Sequence, residues 1–129
     1  MLTTENNLVE DWMSKNIIAV DPEVHINKVK EMFEEFDVHH LLVVRGGKLL
    51  GIISTHDLLK LYNEVGEISG DTKAQDVMTK NPLSIDTSDS LGLAADIILA
   101  NKFHALPVLD GDELVGIITN HDLIKFAFK

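Results

Sequence analysis

Two short strings hold the side chains of this chain that are best placed to do chemistry. Ser54-Thr55-His56-Asp57 and Thr119-Asn120-His121-Asp122 share one spacing: a hydroxyl, a histidine two residues on, an aspartate three residues on. Each follows an apolar Gly-Ile-Ile tripeptide, Gly51-Ile52-Ile53 or Gly116-Ile117-Ile118. The tripeptide reads as a strand running out of the core, and the residues after it as the first turn of a helix. A hydroxyl at that junction stands where the first free N–H groups of the helix face solvent, a setting that attracts anions. The aspartate sits on the first turn, and a carboxylate can accept two hydrogen bonds from a vicinal diol such as a ribose. Hydroxyl and acid together suit a nucleotide, with phosphate to the hydroxyl and backbone and sugar to the acid. A plainer role fits the same residues. Ser54 and Thr119 are good N-caps, and Asp57 and Asp122 are good first-turn acids. Duplication does not separate the two roles, because a cap would be duplicated as well.

The elements that must position these residues are also duplicated. Shifting the chain by 65 residues lays Asp11–Tyr62 on Asp76–Ala127 without a gap, including Met13-Ser14-Lys15-Asn16 on Met78-Thr79-Lys80-Asn81. A gapless repeat of about 50 residues means two copies of one folding unit related by an approximate twofold. Repeat 1 spans 8–62, a polar linker 63–75 and repeat 2 76–129; together they are expected to form one domain. Within each copy the order is strand, helix, strand, strand, helix. Ile17–Val20 and Leu83–Ile85 read as short strands. Asp21-Pro22 and Asp86-Thr87-Ser88 stop them and can cap a helix. Ile26, Val29, Met32, Phe33 and Phe36 recur at helical spacing, as do Leu91, Ala94, Ala95, Ile98 and Leu99. Leu41–Val44 with Leu49–Ser54, and Leu106–Leu109 with Leu114–Thr119, read as two hairpins about Gly46-Gly47-Lys48 and Asp110-Gly111-Asp112-Glu113. His56–Tyr62 and His121–Phe128 close the copies as helices, capped by Ser54 or Thr55 and by Thr119 or Asn120, and Leu8–Met13 reads as a short leading helix. The fold class is α+β, in α/β layers.

Composition narrows the function. The 129 residues carry a net charge of −10, which opposes nucleic-acid backbones and anionic membranes. There is no cysteine, so disulfides and thiolate chemistry are excluded and a reducing compartment, the cytoplasm, is expected. No apolar run approaches the roughly 20 residues that span a bilayer. The first residues lack the charge and apolar core of a signal peptide. No nucleophile stands with a paired base, and no Gly-x-x-x-x-Gly-Lys-Ser/Thr string occurs, so an enzyme is not expected. The six histidines have no familiar metal-site spacing, so no metal site is expected.

A pocket beside the hydroxyl and acid would need small and apolar walls. Ala19 and Ser84 occupy matching positions in the first strands and leave space; Val38-His39-His40 and Phe103-His104-Ala105 precede the second strands. A flat adenine could lie among such residues. Val38 and Phe103 are equally suited to being core.

Met-Ser/Thr at the head, His-x-Leu-x-Val in the middle and Gly-Ile-Ile-Ser/Thr-x-x-Asp-Leu at the tail resemble the CBS domain, the repeat named after cystathionine beta-synthase. Two in tandem resemble a CBS pair, or Bateman module, over Leu8 to Phe128. The resemblance implies two repeats packed through their sheets about a pseudo-twofold, with two clefts that bind adenosyl ligands: AMP, ADP, ATP or S-adenosylmethionine. One cleft would join Thr79, Ser84, Phe103, His104 and Ala105 to Ser54, His56 and Asp57. The other would join Ser14, Ala19, Val38, His39 and His40 to Thr119, His121 and Asp122. It also implies a disc-like homodimer and a stand-alone regulatory module that signals to an effector protein, with no cofactor required. A triphosphate would need Mg²⁺ against the acidic background, so AMP, adenosine or a sulfonium analogue ranks above ATP. Repeat 2 has the Pro that opens the second strand in the family, in Ala105-Leu106-Pro107-Val108; repeat 1 has His40-Leu41-Leu42-Val43 and lacks it. That departure favours the cleft with Ser54 and Asp57. The rival expectations are a ligandless interaction scaffold and a module that responds to divalent cations.

Overall fold

The computed structural model describes residues 7–101 and 103–129. In chain order the elements are α1 (Val9–Trp12), β1 (Ala19–Val20), α2 (Ile26–Phe36), β2 (His40–Arg45), β3 (Lys48–Ser54), α3 (Thr55–Val65), α4 (Ala74–Val77), β4 (Thr79–Lys80), β5 (Ile85–Asp86), α5 (Leu91–Asn101), β6 (Ala105–Asp110), β7 (Glu113–Thr119) and α6 (Asn120–Ala127). The sequence suggests a loose start over residues 1–7, of which 1–6 lie outside the described residues.

The chain forms two compact units, and they do not coincide with the two sequence repeats. One unit is Ile18–Pro82; the other joins the segment ending at Ile17 to Leu83–Lys129. Each takes the body of one repeat and the leading segment of the other.

In the Ile18–Pro82 unit the sheet order is β1-β2-β3-β4. β1 runs parallel to β2, pairing Ala19 with Leu42. β2 and β3 form an antiparallel hairpin from His40↔Ser54 to Arg45↔Lys48. Its two-residue turn is Gly46-Gly47 at φ +60 and +78, the left-handed conformation that a tight hairpin needs and that glycine adopts without a Cβ clash. β4, from the head of repeat 2, pairs antiparallel with β3. The core is Val20, Ile26, Val29, Leu41, Val43, Ile53 and Ala74, so the borrowed α4 contributes to it. Ile26 and Val29 are the buried end of the expected apolar stripe of α2, and Phe36 at its far end is exposed.

The second unit has the sheet β5-β6-β7, and β6 pairs with β7 in the register of the first hairpin, from Ala105↔Thr119. Its core holds Val9, Ile85, Leu91, Ala94, Ile98, Leu106, Val108, Ile118 and Phe126, with Trp12 and Met13 packed against it. Here the borrowed piece is α1. The edge strands differ by one residue between the copies. In β2 the Leu42 N–H donates to the Ile18 carbonyl at 3.0 Å. Pro107 stands at the matching place in β6 and has no N–H to give. β5 accordingly begins at Ile85, and Ser84, the counterpart of Ala19, lies just before the strand.

Several expected boundaries shift. Asp21 does not cap α2, whose N-cap is His25. The Asp21 carboxylate is held by Arg45 at 2.9 Å and by the Glu23 N–H. Asp86 accepts from the Ser88 N–H and hydroxyl, and Ser90 caps α5 by accepting from the Leu93 N–H at 3.1 Å. The 63–75 segment is more than a polar linker. α3 runs on to Val65, Ile68 packs against the core of its unit, and Lys73 bridges His25. Leu99, expected on the buried face of α5, is 77% exposed.

Candidate functional site

β3 and β7 deliver the two hydroxyl–acid pairs to the starts of α3 and α6. Ser54 is the N-cap of α3, its Oγ accepting from the Asp57 N–H at 3.0 Å. Thr119 is the N-cap of α6, its Oγ1 accepting from the Asp122 N–H at 3.2 Å. Both hydroxyls therefore do the capping that their spacing allowed. The two acids behave differently. Asp122 closes a capping box: its Oδ2 accepts from the Thr119 N–H at 2.9 Å and from the Thr119 hydroxyl at 3.0 Å. The Asp57 carboxylate is exposed, and among the described residues it has no hydrogen-bond or ion-pair partner.

The borrowed heads add a second hydroxyl to each pair. Thr79 lies directly across from Ile52 in the β3–β4 ladder. Ser14 lies across from Ile117, donating its N–H to the Ile117 carbonyl at 2.9 Å and accepting the Ile117 N–H at 3.0 Å. Directly opposed residues share a face of a sheet, and so do residues two apart along a strand. Thr79 and Ser54 therefore lie on one face of their sheet, and Ser14 and Thr119 on one face of theirs, opposite the buried Ile53 and Ile118. Glycine makes this approach possible. A β-carbon on Gly116 would stand 2.7 Å from the Met13 sulfur and 2.8 Å from the Ser14 carbonyl oxygen. On Gly51 it would run into the Met78 sulfur and stand 2.9 Å from the Thr79 carbonyl oxygen.

The Ile18–Pro82 unit thus carries Ser54, His56, Asp57 and Thr79, and also Ala19, Val38, His39 and His40. The other carries Ser14, Thr119, His121 and Asp122, and also Ser84, Phe103, His104 and Ala105. Val38 packs against the core of its unit, whereas Phe103 is exposed. His40 and Ala105 lie opposite Ser54 and Thr119 in the hairpin ladders. The His39 carbonyl accepts the Thr55 N–H, and the His104 carbonyl accepts the Asn120 N–H, each at 3.0 Å. These bonds fasten the segments before β2 and β6 to the helix starts. His56 and His121 are exposed.

The shifted carboxyls lie elsewhere. The Arg45 guanidinium and the Glu23 N–H hold the Asp21 carboxyl below its ordinary range, and the Ser88 N–H and hydroxyl do the same for Asp86. Asp21 follows β1 and Asp86 ends β5, and both serve turns. Among the described residues no three His, Asp or Glu side chains converge to hold a metal ion, and no helix is long and apolar enough to cross a membrane. The docking of the heads was missed by the sequence reading. Its signal was present in Met13-Ser14 and Met78-Thr79, duplicated along with Gly116 and Gly51.

The CBS domain pattern matches residues 9–64 and 74–129. Among curated proteins, the uncharacterized protein MJ1225 of Methanocaldococcus jannaschii is 27% identical over 95% of this chain and 48% of its own length. The CBS domain-containing protein CBSX2 of Arabidopsis thaliana is 28% identical over 94% of this chain and 63% of its own. The chain spans less than two thirds of these relatives. Among solved structures, CBSX2 in complex with AMP superposes with a TM-score of 0.84 at 31% identity, covering 95% of this chain and 96% of that one. A putative acetoin utilization protein from Vibrio cholerae gives 0.83 at 31% identity, covering 93% and 90%.

Proposed function

Since the chain belongs to the CBS domain family, we propose that it is a regulatory module that binds an adenosyl nucleotide, with AMP the leading ligand. The observation that carries this is the duplicated grouping of a helix-capping hydroxyl, a first-turn aspartate and a head hydroxyl on one sheet face: Ser54, Asp57 and Thr79 in one unit, Thr119, Asp122 and Ser14 in the other. The helix-start N–H groups and hydroxyls take the phosphate, and the carboxylates take the ribose diol. AMP bound to CBSX2, at 31% identity over nearly the full length of both chains, supports the choice of ligand. A monophosphate also adds less like charge than a triphosphate to a chain of net charge −10. Ligand binding would hold one conformation of the module for an effector to read. Thermal-shift measurements with AMP, ATP, S-adenosylmethionine and GMP at millimolar concentration test the proposal. The adenosyl ligands should raise the melting temperature and AMP should act at the lowest concentration. No shift with any of them refutes it.

A second reading, an interaction scaffold, is favoured by exposed apolar side chains on α3 and α6. Leu59 at 67% exposure lies with Tyr62 and Val65 on α3, and its repeat counterpart Ile124 lies on α6, ahead of Phe128 at 83%. We propose that these rows meet a second copy. Light scattering should then give a dimer, and a monomer at high protein concentration would count against it.

A further inference from the structure

We propose that the two sites are unequal, and that the Asp57 site fills with nucleotide well before the Asp122 site. The inference rests on the ribose role given above to both acids. The motifs have the same spacing, yet the acids start from different states. Asp57 is exposed and, among the described residues, its carboxylate is bonded to no protein group. Asp122 is half-buried, and its Oδ2 already accepts two hydrogen bonds, from the Thr119 N–H at 2.9 Å and the Thr119 hydroxyl at 3.0 Å. A ribose diol offers two donors. At Asp57 they replace water. At Asp122, among the described residues, only Oδ1 is free of protein donors, so a diol spanning both oxygens must displace one or both of the Thr119 donors on Oδ2, and a freed N–H or hydroxyl must find phosphate or water in return.

The hydroxyl residue reinforces the difference. Threonine is β-branched and stiff at χ1, which holds Oγ1 beside its own aspartate, while the Ser54 hydroxyl is on an unbranched side chain that can rotate toward a ligand. A net hydrogen bond between partly exposed groups is worth about 1 kcal/mol, and 1.4 kcal/mol is a factor of ten. Losing one to two such bonds weakens the Asp122 site by about five- to thirtyfold, with about tenfold at the middle of that range.

The test is calorimetric titration of the full chain with AMP, alongside Asp57→Ala and Asp122→Ala. The wild type should show two phases with dissociation constants about tenfold apart. Asp57→Ala should delete the tighter phase and leave the melting temperature of the free protein nearly unchanged. Asp122→Ala should delete the weaker phase and lower the melting temperature, because it opens the capping box. Should Asp122→Ala be too unstable to titrate, the isosteric pair Asp57→Asn and Asp122→Asn replaces both. Loss of the tighter phase in the Asp122 variant, or equal phases in the wild type, overturns the inequality and leaves the ribose role standing. Unchanged AMP binding in both single variants overturns the ribose role itself, and the inequality falls with it.

Discussion

Replacing Gly116 with alanine should be one of the most damaging single-methyl changes in this chain. The added carbon would stand 2.7 Å from the Met13 sulfur and 2.8 Å from the Ser14 carbonyl oxygen. Methionine is flexible and can move aside. The Ser14 carbonyl is backbone, and it is held by the bond it accepts from the Ile117 N–H at 3.0 Å and by the reciprocal bond from the Ser14 N–H at 2.9 Å. Relieving the clash means lifting the head off β7. Overfilling a packed contact costs about 1–3 kcal/mol. Losing the two backbone bonds costs about 1 kcal/mol each. A total of about 3 kcal/mol lowers the melting temperature by roughly 10 °C in a chain of this size. Gly111→Ala is the comparison: nothing lies within 4 Å of its would-be β-carbon, and only its φ of +64 resists the change. That strain is worth roughly 1–2 kcal/mol. Differential scanning calorimetry of the two variants decides the matter. A Gly116→Ala protein melting within about 2 °C of wild type would refute the claim that this contact holds the head.

Other consequences follow from the same geometry. Thr119→Ala should destabilise the protein more than Ser54→Ala in urea titrations, because a typical cap is worth about 1 kcal/mol and Thr119 also anchors Asp122. Arg45 holds the Asp21 pKa below its ordinary 3.8. Any stability from that pair is present above pH 3.8 and fades as pH falls through the lowered value, so Arg45→Met should matter less at pH 2 than at pH 7 in denaturant titrations. Both side chains are about half exposed, so the effect at neutral pH should be small.

Much of the fold was legible because periodicity reported it. The hairpins and the stripe of α2 alternate or recur over enough residues to fix element and face. The rest was hidden for specific reasons. β4 is two residues long and Ser14 forms a single bridge, so neither carries a periodic signal. Which sheet each head joins depends on space above Gly51 and Gly116, a tertiary fact. Leu99 misled because α5, with Asp96 as its one charged residue, is apolar nearly all round and spacing alone cannot choose its buried face. Asp21 looked like a cap, but Arg45, 24 residues on, reached it instead. At the site, the spacing made Ser54 and Thr119 candidate caps, but the structure was needed to choose them over Thr55 and Asn120. The contrast between Asp57 and Asp122 was not legible, because it lies in a side-chain rotation that a shared motif does not encode.

The most direct measurement is an AMP titration of the wild type beside a protein with both Asp57→Ala and Asp122→Ala, followed by calorimetry with folding checked by circular dichroism. Saturable heat in the wild type and none in the folded double variant is the predicted result. Undiminished binding by the double variant, or a wild type that takes up no AMP at millimolar concentration, would contradict the account.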